Sequence, residues 1–229
     1  MGEIKAIAMP GTHQKFLKYF EQQSFNTDAN VLDIGAGHGA FTKALHDKGF
    51  KVQACDLDPG IFHFDQIQCT QADITKTLPY EDNSIDIAIA IEVSEHILDH
   101  EQFFAEVNRV LKSGGSFFLS TPNILSLKSR IRFLFRGFYY GFGPLDFNNF
   151  DGMQHIASRT INQYQYIGIK HGFNTAKYAV DRRQSSSRWI LAFIRPFIRF
   201  NTIIKKAPTV HNDRDLLLGR LLFLHFKKK

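Results

Sequence analysis

The stretch Val31-Leu32-Asp33-Ile34-Gly35-Ala36-Gly37-His38-Gly39-Ala40-Phe41-Thr42 decides the fold of this chain. Its first four residues are typical of a buried strand, and three glycines follow on alternate positions. Phe41, Ala44 and Leu45 then recur at the spacing of one helix face. A strand, a glycine turn and a helix start form the place where a Rossmann-like sheet receives a nucleoside ligand. Glycine suits such a turn because it has no Cβ, so the backbone can approach a ligand closely.

Asp33 indicates which nucleoside the turn receives. The pattern Gly35-x-Gly37-x-x-Ala40 also fits a dinucleotide site, with Asp56 at the distance of a ribose-binding acid. However, a carboxylate at the carboxyl end of the strand would repel a pyrophosphate seated on the helix N-terminus. It favours a cationic group instead, such as the amino group of a methionine moiety. An NAD-dependent reductase is therefore a disfavoured alternative.

Length and composition set the broad class. With 229 residues, 44% of them apolar, the chain is long enough for a sizeable core, and we interpret residues 1–229 as one domain. The net charge of +6 admits an anionic partner: a membrane surface, a nucleic acid or an acidic substrate. The N-terminus lacks an apolar h-region, and no run reaches the roughly 18 apolar residues of a spanning helix. Cys55 and Cys69 lack metal-ligand spacing, so we expect a reducing, cytoplasmic location.

Strand and helix patterns alternate along the chain. Strands are predicted at 31–34, 51–56, 67–73, 85–91, 116–123, 175–180 and 220–226. Helices are predicted at 14–22, after the glycine turn, and at 99–112 before Gly114-Gly115, and Ser158-Arg159-Thr160 is predicted to cap a further helix. Such alternation favours an α/β fold with a parallel sheet and helices on both faces.

Several motifs in order resemble the class I S-adenosylmethionine-dependent methyltransferases. Asp33-x-Gly35-x-Gly37-x-Gly39 resembles their motif I, and Asp56 and Asp73-Ile74 follow at the ends of the next two strands. The stretch from Phe103 to Gly115 also looks like this family. The resemblance covers most of residues 31–123, and more loosely 155–180 and 216–226. It implies a Rossmann-like seven-stranded sheet, mostly parallel with one antiparallel C-terminal strand, with S-adenosylmethionine as cofactor and S-adenosylhomocysteine as product.

The resemblance and the residue chemistry together predict the cofactor contacts. Asp33 and the glycines hold the methionine part, and Asp56 accepts hydrogen bonds from both ribose hydroxyls. The resemblance implies that Asp73 accepts from the adenine amine and that Ile74 packs on the ring. His13, in the cover segment 1–29, is a candidate donor to the methionine carboxylate or else a capping or solvated histidine. The candidate set is His13, Asp33, Gly35, Ala36, Gly37, Gly39, Asp56, Leu57, Asp73, Ile74, Ile91 and Glu92.

The candidate catalytic residues are Glu92, Glu95 and His96, at the end of the fourth strand. In-line positioning of the methyl group supplies much of the rate of methyl transfer. An oxygen acceptor must also lose its proton, either to a positioned base or with the help of a bound metal ion. Similar E-x-x-E-H sequences bind magnesium in ubiquinone-pathway O-methyltransferases and in small-RNA 2′-O-methyltransferases. This resemblance implies an alternative metal set of Glu92, Glu95, His96 and His155. Because imidazole is a poor magnesium ligand, we do not favour a divalent metal; His96 as a metal-free base and a merely shaping role remain open.

Two insertions flank the core at 30–123. Residues 124–155 and 182–215 interleave basic and apolar side chains, and no acid occurs at 124–145 or 182–206. Basic side chains around Trp189 and several phenylalanines are typical of a helix that lies in a membrane interface. Alternatively, the apolar residues pack on the sheet while the arginines are solvated. A nucleic-acid groove is less favoured because aliphatic residues outnumber stacking aromatics. Pro196 is expected to kink or divide the second helix.

The sequence thus predicts a methyltransferase, monomeric or homodimeric, that methylates an oxygen of a small or lipid-linked acceptor. Thr121-Pro122-Asn123 and His155-Ile156 are similar to segments of bacterial methyltransferases from glycolipid or surface-polysaccharide pathways. The alternatives are an RNA 2′-O-methyltransferase, and a non-catalytic protein that keeps the fold and binds a membrane or a nucleic acid. The expected location is the cytoplasm, with contact to an anionic membrane on its cytoplasmic face as an option.

Overall fold

The computed structural model describes residues 4–206 and 209–229 and contains a seven-stranded sheet of order β3-β2-β1-β4-β5-β7-β6. The strands are β1 (Asn30–Ile34), β2 (Lys51–Asp56), β3 (Cys69–Gln71), β4 (Ile85–Ile91), β5 (Leu111–Pro122), β6 (Lys177–Val180) and β7 (Leu221–Lys227). The helices are α1 (Thr12–Glu21), α2 (Ala40–His46), α3 (His100–Val110), α4 (Leu127–Arg136), α5 (Ile161–Lys170), α6 (Ser185–Lys205) and α7 (Arg214–Leu218).

The strand directions confirm the predicted sheet. Strands β1 to β5 pair in parallel, whereas β7 is antiparallel to both β5 and β6. Because β7 runs opposite to both of its neighbours, β6 runs in the direction of β5. The carboxyl ends of all strands other than β7 therefore lie along one edge, which we call the carboxyl edge.

Alternation along the strands divides the core into two layers. On β4 and β5, Ala88 and Phe117 face a cluster that includes residues of α3 and α5. Their neighbours Ile89 and Phe118 face a second cluster, with residues of α1 and α2. The period of two places alternate side chains on opposite faces of the sheet. Helices therefore cover both faces, as predicted.

Some predicted boundaries differ from the structure. The third strand is only Cys69–Gln71 rather than 67–73, and α3 ends at Val110, before the two glycines. Helix α6 continues through Pro196 without division. Proline has a helical φ and removes only one internal hydrogen bond. Leu191 and Ile198 anchor α6 on both sides of the proline, in a cluster with α4 and α7, so tertiary packing outweighs the local cost.

Helices α4, α6 and α7 all adjoin the carboxyl edge. Helix α4 follows β5, α6 follows β6, and α7 leads into β7. The buried amide of Asn123 joins the segment between β5 and α4 to α7, because its Nδ2 donates to the carbonyl oxygens of Leu216 at 2.7 Å and Gly219 at 3.0 Å. In the described ranges, 4–206 and 209–229, no helix combines the length and the apolar character needed to cross a bilayer.

Candidate active site

The glycine turn is held between β2 and the end of β4. The backbone N–H groups of Gly35 and Ala36 donate to the carbonyl oxygen of Cys55, at 2.8 and 3.1 Å. Gly35 has a φ of +70°, and a Cβ there would lie 2.5 Å from a methyl carbon of Val93. Only glycine combines this backbone conformation with such a close approach. The turn is therefore built to lie against the segment that carries the candidate catalytic residues.

Asp56 and an aromatic ring fix the remainder of the turn. The Asp56 carboxylate accepts from the N–H of Gly37 at 2.8 Å and from that of Asp58 at 3.0 Å. A Cβ on Gly39, whose φ is +84°, would lie 2.7 Å from the ring of Phe62. Each oxygen of a carboxylate can accept more than one hydrogen bond, so half-buried Asp56 retains acceptor capacity. Its contact with two ribose hydroxyls stays a prediction.

Asp33 is a buried acid beneath the turn. It is 2% exposed, and its Oδ2 accepts from Oγ1 of Thr42 on α2 at 2.6 Å. Burial raises the pKa of Asp33 to about 6; the Thr42 hydrogen bond opposes this shift, and the charge of Asp56 adds to it. A neighbouring cation favours the ionised form of such a carboxyl. A methionine amino group would be such a cation, and its contact with Asp33 stays a prediction.

The predicted adenine contacts lie beyond β3. The N–H of Ala72 donates to the Asp56 carbonyl at 2.8 Å, which brings the two strand ends together. Asp73 accepts from the backbone and hydroxyl of Thr75, and these bonds lower its pKa. Ile74 packs against the core, whereas Leu57 is exposed. The carboxylate of Asp73 is thus engaged locally, and its role toward adenine stays a prediction.

Glu92 follows buried Ile91 in a strained conformation. Its φ is +54°, and its N–H donates to the hydroxyl and the carbonyl oxygen of Ser120, both at 3.1 Å. A left-handed backbone at a residue other than glycine costs of order 1–3 kcal/mol and is common at functional sites. Burial raises the pKa of Glu92, while the positive charge of Arg220 lowers it.

The N-terminal segment lies over the turn. The His38 ring nitrogen Nδ1 is 2.9 Å from the Lys5 carbonyl oxygen, and a Cβ on Gly37 would lie 2.9 Å from Ile7. His13 on α1 meets the Phe41 ring edge-on at 5.4 Å, and burial lowers its pKa to about 4. His13 is therefore neutral at pH 7, and its contact with the methionine carboxylate stays a prediction. Lys5 and Ile7 thus lie against the glycine turn, and the role of residues 1–29 as a cover segment stays a prediction.

A buried ion pair that the sequence analysis missed lies at the same edge. Arg220 precedes β7 and is 8% exposed; its Nε donates to Oδ2 of Asp181 at 3.1 Å, and its Nη2 donates to Thr12 at 3.1 Å. The partners are far apart in the chain, so spacing does not reveal the pair. A signal was present in the arginine at the start of an apolar strand. Through its charge, Arg220 favours the ionised form of Glu92.

Glu95, His96 and His155 form a compact cluster. One potential ligand atom from each lies within 4.8 Å of the others. The backbone N–H groups of Ile156 and Ala157 donate to the Glu95 carbonyl oxygen at 2.9 and 3.0 Å, which fixes the approach of His155. The structure thus brings together three residues of the alternative metal set. Glu92 is not part of this cluster.

Burial controls the charge of the cluster. Glu95 is fully buried, and its carboxylate oxygens have no hydrogen-bond partner among the described residues. Burial and the charge of Glu92 raise the pKa of Glu95 well above its usual value. Burial also lowers the pKa values of His96 and His155, whose ring centroids are 4.7 Å apart. The ligand-free cluster therefore favours a protonated carboxyl and two neutral imidazoles.

A backbone carbonyl selects the tautomer of the neutral His96 ring. Its Nδ1 is 3.1 Å from the carbonyl oxygen of Gln154, an acceptor that requires the proton on Nδ1 in the neutral ring. The Nε2 atom is then free of a proton and can accept one. This arrangement needs no metal.

The cluster also fits a metal ion. Glu95 has two unsatisfied oxygens, and the buried Nδ1 of His155 finds no partner within the part of the chain that the structure describes. One carboxylate with two imidazoles suits manganese, iron or zinc better than magnesium. Glu95, His96 and His155 would hold such an ion, which lowers the pKa of a bound hydroxyl group.

Comparison with known proteins agrees with this geometry. Residues 32–119 match the family model of a methyltransferase domain. The chain is 34% identical over 98 residues to a probable S-adenosylmethionine-dependent methyltransferase of Mycolicibacterium smegmatis. Residues 32–119 are therefore a methyltransferase domain similar to those of S-adenosylmethionine-dependent enzymes. This match covers 41% of the chain and 38% of the relative, so the chain spans less than half of that protein's length.

Two further methyltransferases extend the similarity. A ubiquinone biosynthesis O-methyltransferase of Coxiella burnetii is 28% identical over 160 residues, which cover 66% of this chain and 68% of that enzyme. The crystal structure of a SAM dependent methyltransferase from Archaeoglobus fulgidus superposes with a TM-score of 0.66 at 17% identity. The superposition covers 94% of this methyltransferase chain and 93% of the other. It shows that the fold is shared.

Proposed function

We propose that this chain transfers the methyl group of S-adenosylmethionine to an oxygen atom of a small or lipid-linked acceptor. The observation that carries the proposal is the glycine turn, which Asp56 anchors and which packs against Val93, three residues before His96. Similarity to an O-methyltransferase of ubiquinone biosynthesis supports an oxygen acceptor.

The cofactor would lie along the carboxyl edge. Asp56 binds the ribose hydroxyls, while the tightly packed turn lets the backbone approach the methionine part. Asp33, whose pKa is raised by burial, favours the cationic amino group. Glu92 continues this negative surface toward the catalytic cluster.

The acceptor hydroxyl would lie beside His96. A sulfonium is a good leaving group, so alignment of the methyl carbon with the attacking oxygen supplies much of the rate. The oxygen must still lose its proton, and the unprotonated Nε2 of His96 accepts it. Burial, and after it the neighbouring His155, lowers the pKa of His96 and favours its neutral form.

Cofactor binding tests the first part of the proposal. Isothermal titration should show binding of S-adenosylmethionine and S-adenosylhomocysteine, and none of NAD. Loss of two charge-assisted hydrogen bonds, each worth roughly 1.5–3 kcal/mol, makes Asp56→Ala weaken that binding about 100-fold or more. The exposed neighbour Asp65→Ala is the matched control and should bind normally. Unchanged affinity in Asp56→Ala, or preference for NAD, would overturn the assignment.

Acceptor screening tests the second part. Methyl transfer from radiolabelled cofactor to small-molecule and lipid fractions should yield a base-stable ether, and His96→Gln should lose transfer while it keeps cofactor affinity. Transfer only to nitrogen or carbon atoms would refute an oxygen acceptor.

The Glu95–His96–His155 cluster favours a second candidate function, metal-assisted 2′-O-methylation of RNA. Here a divalent ion bound by these residues would activate the ribose hydroxyl. Equilibrium dialysis with manganese, compared between the native protein and Glu95→Gln, tests the site independently of activity. Stoichiometric binding that is lost in the variant, together with methylation of single-stranded RNA, would support this candidate. Metal-free activity on a small acceptor would exclude it.

A further inference from the structure

We propose that the outward face of α6 docks on the surface of an anionic membrane. This face consists of Trp189, Phe193, Phe197, Phe200, Ile203 and Ile204, whose exposed fractions lie between 57% and 78%. They recur at intervals of three and four residues, so they lie on one side of the helix. Such a contiguous apolar surface on a folded protein marks an interaction site.

The opposite side of α6 already has its own partners. Leu191 is buried in a cluster with Leu127 of α4 and Leu217 of α7, and Ile190 and Ile198 pack against it. Packing of α6 on the rest of the protein therefore uses this side of the helix and does not explain why the outward side is aromatic. A helix that is apolar on both sides needs a second apolar environment.

Charge identifies that environment. Arg188, Arg195 and Arg199 lie along the flank between the two apolar sides, and residues 182–206 contain no acid. These three arginines form no ion pair within residues 4–206 and 209–229. Basic heads that flank a Trp- and Phe-rich side are the arrangement of a helix that lies in a membrane interface. Anionic headgroups would attract the arginines while the aromatic rings enter the acyl boundary.

A groove beside this face provides a seat for a headgroup. It has a volume of about 500 Å³ and lies between α6 and α7. Arg195, Arg199 and Arg214 border it above an apolar floor, and Asp213 is its acidic residue. Three guanidinium groups against one carboxylate favour a phosphate, and the apolar floor suits the adjoining lipid chain.

Helix α4 extends the surface toward the candidate active site. Its outer residues Leu134 and Phe135 are 76% and 79% exposed, and it neighbours α6. Both helices begin at the carboxyl edge. Docking would thus bring the site close to acceptors that are embedded in a membrane; this last step rests on the proposed function, whereas docking itself does not.

Trp189 is the only tryptophan, so its fluorescence reports on the face directly. In buffer, its emission should be that of a solvated indole. Vesicles of phosphatidylcholine with phosphatidylglycerol should shift the emission to the blue, and brominated acyl chains should quench it. Phosphatidylcholine vesicles alone should bind much less, and high salt should weaken binding because the attraction is electrostatic.

Matched variants separate the two contributions. Arg188→Gln, Arg195→Gln and Arg199→Gln together should weaken partitioning about 100-fold, since each charge contributes roughly fivefold near an anionic surface. Lys18→Gln, Lys51→Gln and Lys177→Gln together remove the same charge elsewhere and should change it much less. In a sedimentation assay, Phe193→Ser with Phe197→Ser should lose binding, while the exposed α5 pair Tyr166→Ser with Ile169→Ser should retain it.

Three results would overturn the proposal. The first is emission that vesicles leave unchanged. The second is blue-shifted emission without lipid that grows with protein concentration, which would show that a second copy covers the face. The third is binding of single-stranded RNA that the three arginine substitutions abolish, with no vesicle binding. Cofactor titration of the same samples is independent of all three, so failure of docking and failure of the proposed activity are distinguishable.

Discussion

Replacing Asp33 with Asn should stabilise the ligand-free protein at neutral pH. Asp33 is 2% exposed at the end of β1, with Thr42 Oγ1 donating to it at 2.6 Å. Burial raises its pKa from 3.8 to about 6. Asparagine has nearly the same shape, and its amide oxygen can still accept from Thr42. The substitution therefore removes the buried charge and keeps the hydrogen bond.

The sign and size follow from proton linkage. Between about pH 4 and pH 6, the folded protein binds a proton at Asp33 that the unfolded chain releases, so this site makes stability fall as pH rises through that window. A pKa difference of about two units corresponds to roughly 3 kcal/mol once the pH exceeds both values. Asp33→Asn should thus raise the free energy of unfolding by up to about 3 kcal/mol at pH 7. At pH 4 it should change that free energy little.

Urea unfolding at both pH values, followed by circular dichroism, measures this difference. Asp65→Asn, an exposed acid beyond β2, is the control and should have little effect at either pH. With saturating S-adenosylmethionine, the native protein should gain more stability than Asp33→Asn, because only the carboxylate meets the cationic amino group. Destabilisation by Asp33→Asn at pH 7, or an equal effect at both pH values, would refute the reasoning.

Three other substitutions test the packing around the site. Phe16→Ala removes a fully buried ring and should lower the free energy of unfolding by about 3–5 kcal/mol in urea titrations. The methyl group of Gly39→Ala would clash with the Phe62 ring, whereas that of Gly114→Ala, also at positive φ, would have no neighbour within 4 Å. Calorimetry should therefore show weaker cofactor binding for Gly39→Ala and not for Gly114→Ala. Asn123→Ala leaves two carbonyls unpaired and should lower the unfolding free energy by about 1–3 kcal/mol in urea.

The sheet was predictable because its signals are local. The near-continuous apolar run of β4 and the glycine turn after β1 each depend on residues adjacent in sequence. The capping box of α5 is also local. The Thr160 side chain accepts from the backbone N–H of Gln163, and the Gln163 side chain accepts from the backbone N–H of Thr160. The motifs also placed Asp33 and Asp56 at strand ends that a parallel sheet brings together.

The remainder of the site depends on long-range contacts. The Arg220–Asp181 pair forms because the end of β6 lies beside the start of β7, which no local pattern reports. His155 reaches Glu95 only because the loop after α4 is bound to the Glu95 carbonyl. The undivided α6 likewise reflects the packing of Leu191, which outweighs the effect of Pro196 on an isolated helix.

The carboxyl edge concentrates acidic groups that the fold alone does not neutralise. Burial raises the pKa values of Asp33, Glu92 and Glu95, and Arg220 is the cation whose charge opposes this shift at Glu92. These acids lower the stability of the ligand-free protein, as functional groups commonly do. S-adenosylmethionine carries a sulfonium and an ammonium group, so its binding would relieve the cost where it arises. In the proposed binding mode, instability and cofactor preference would therefore share one electrostatic origin.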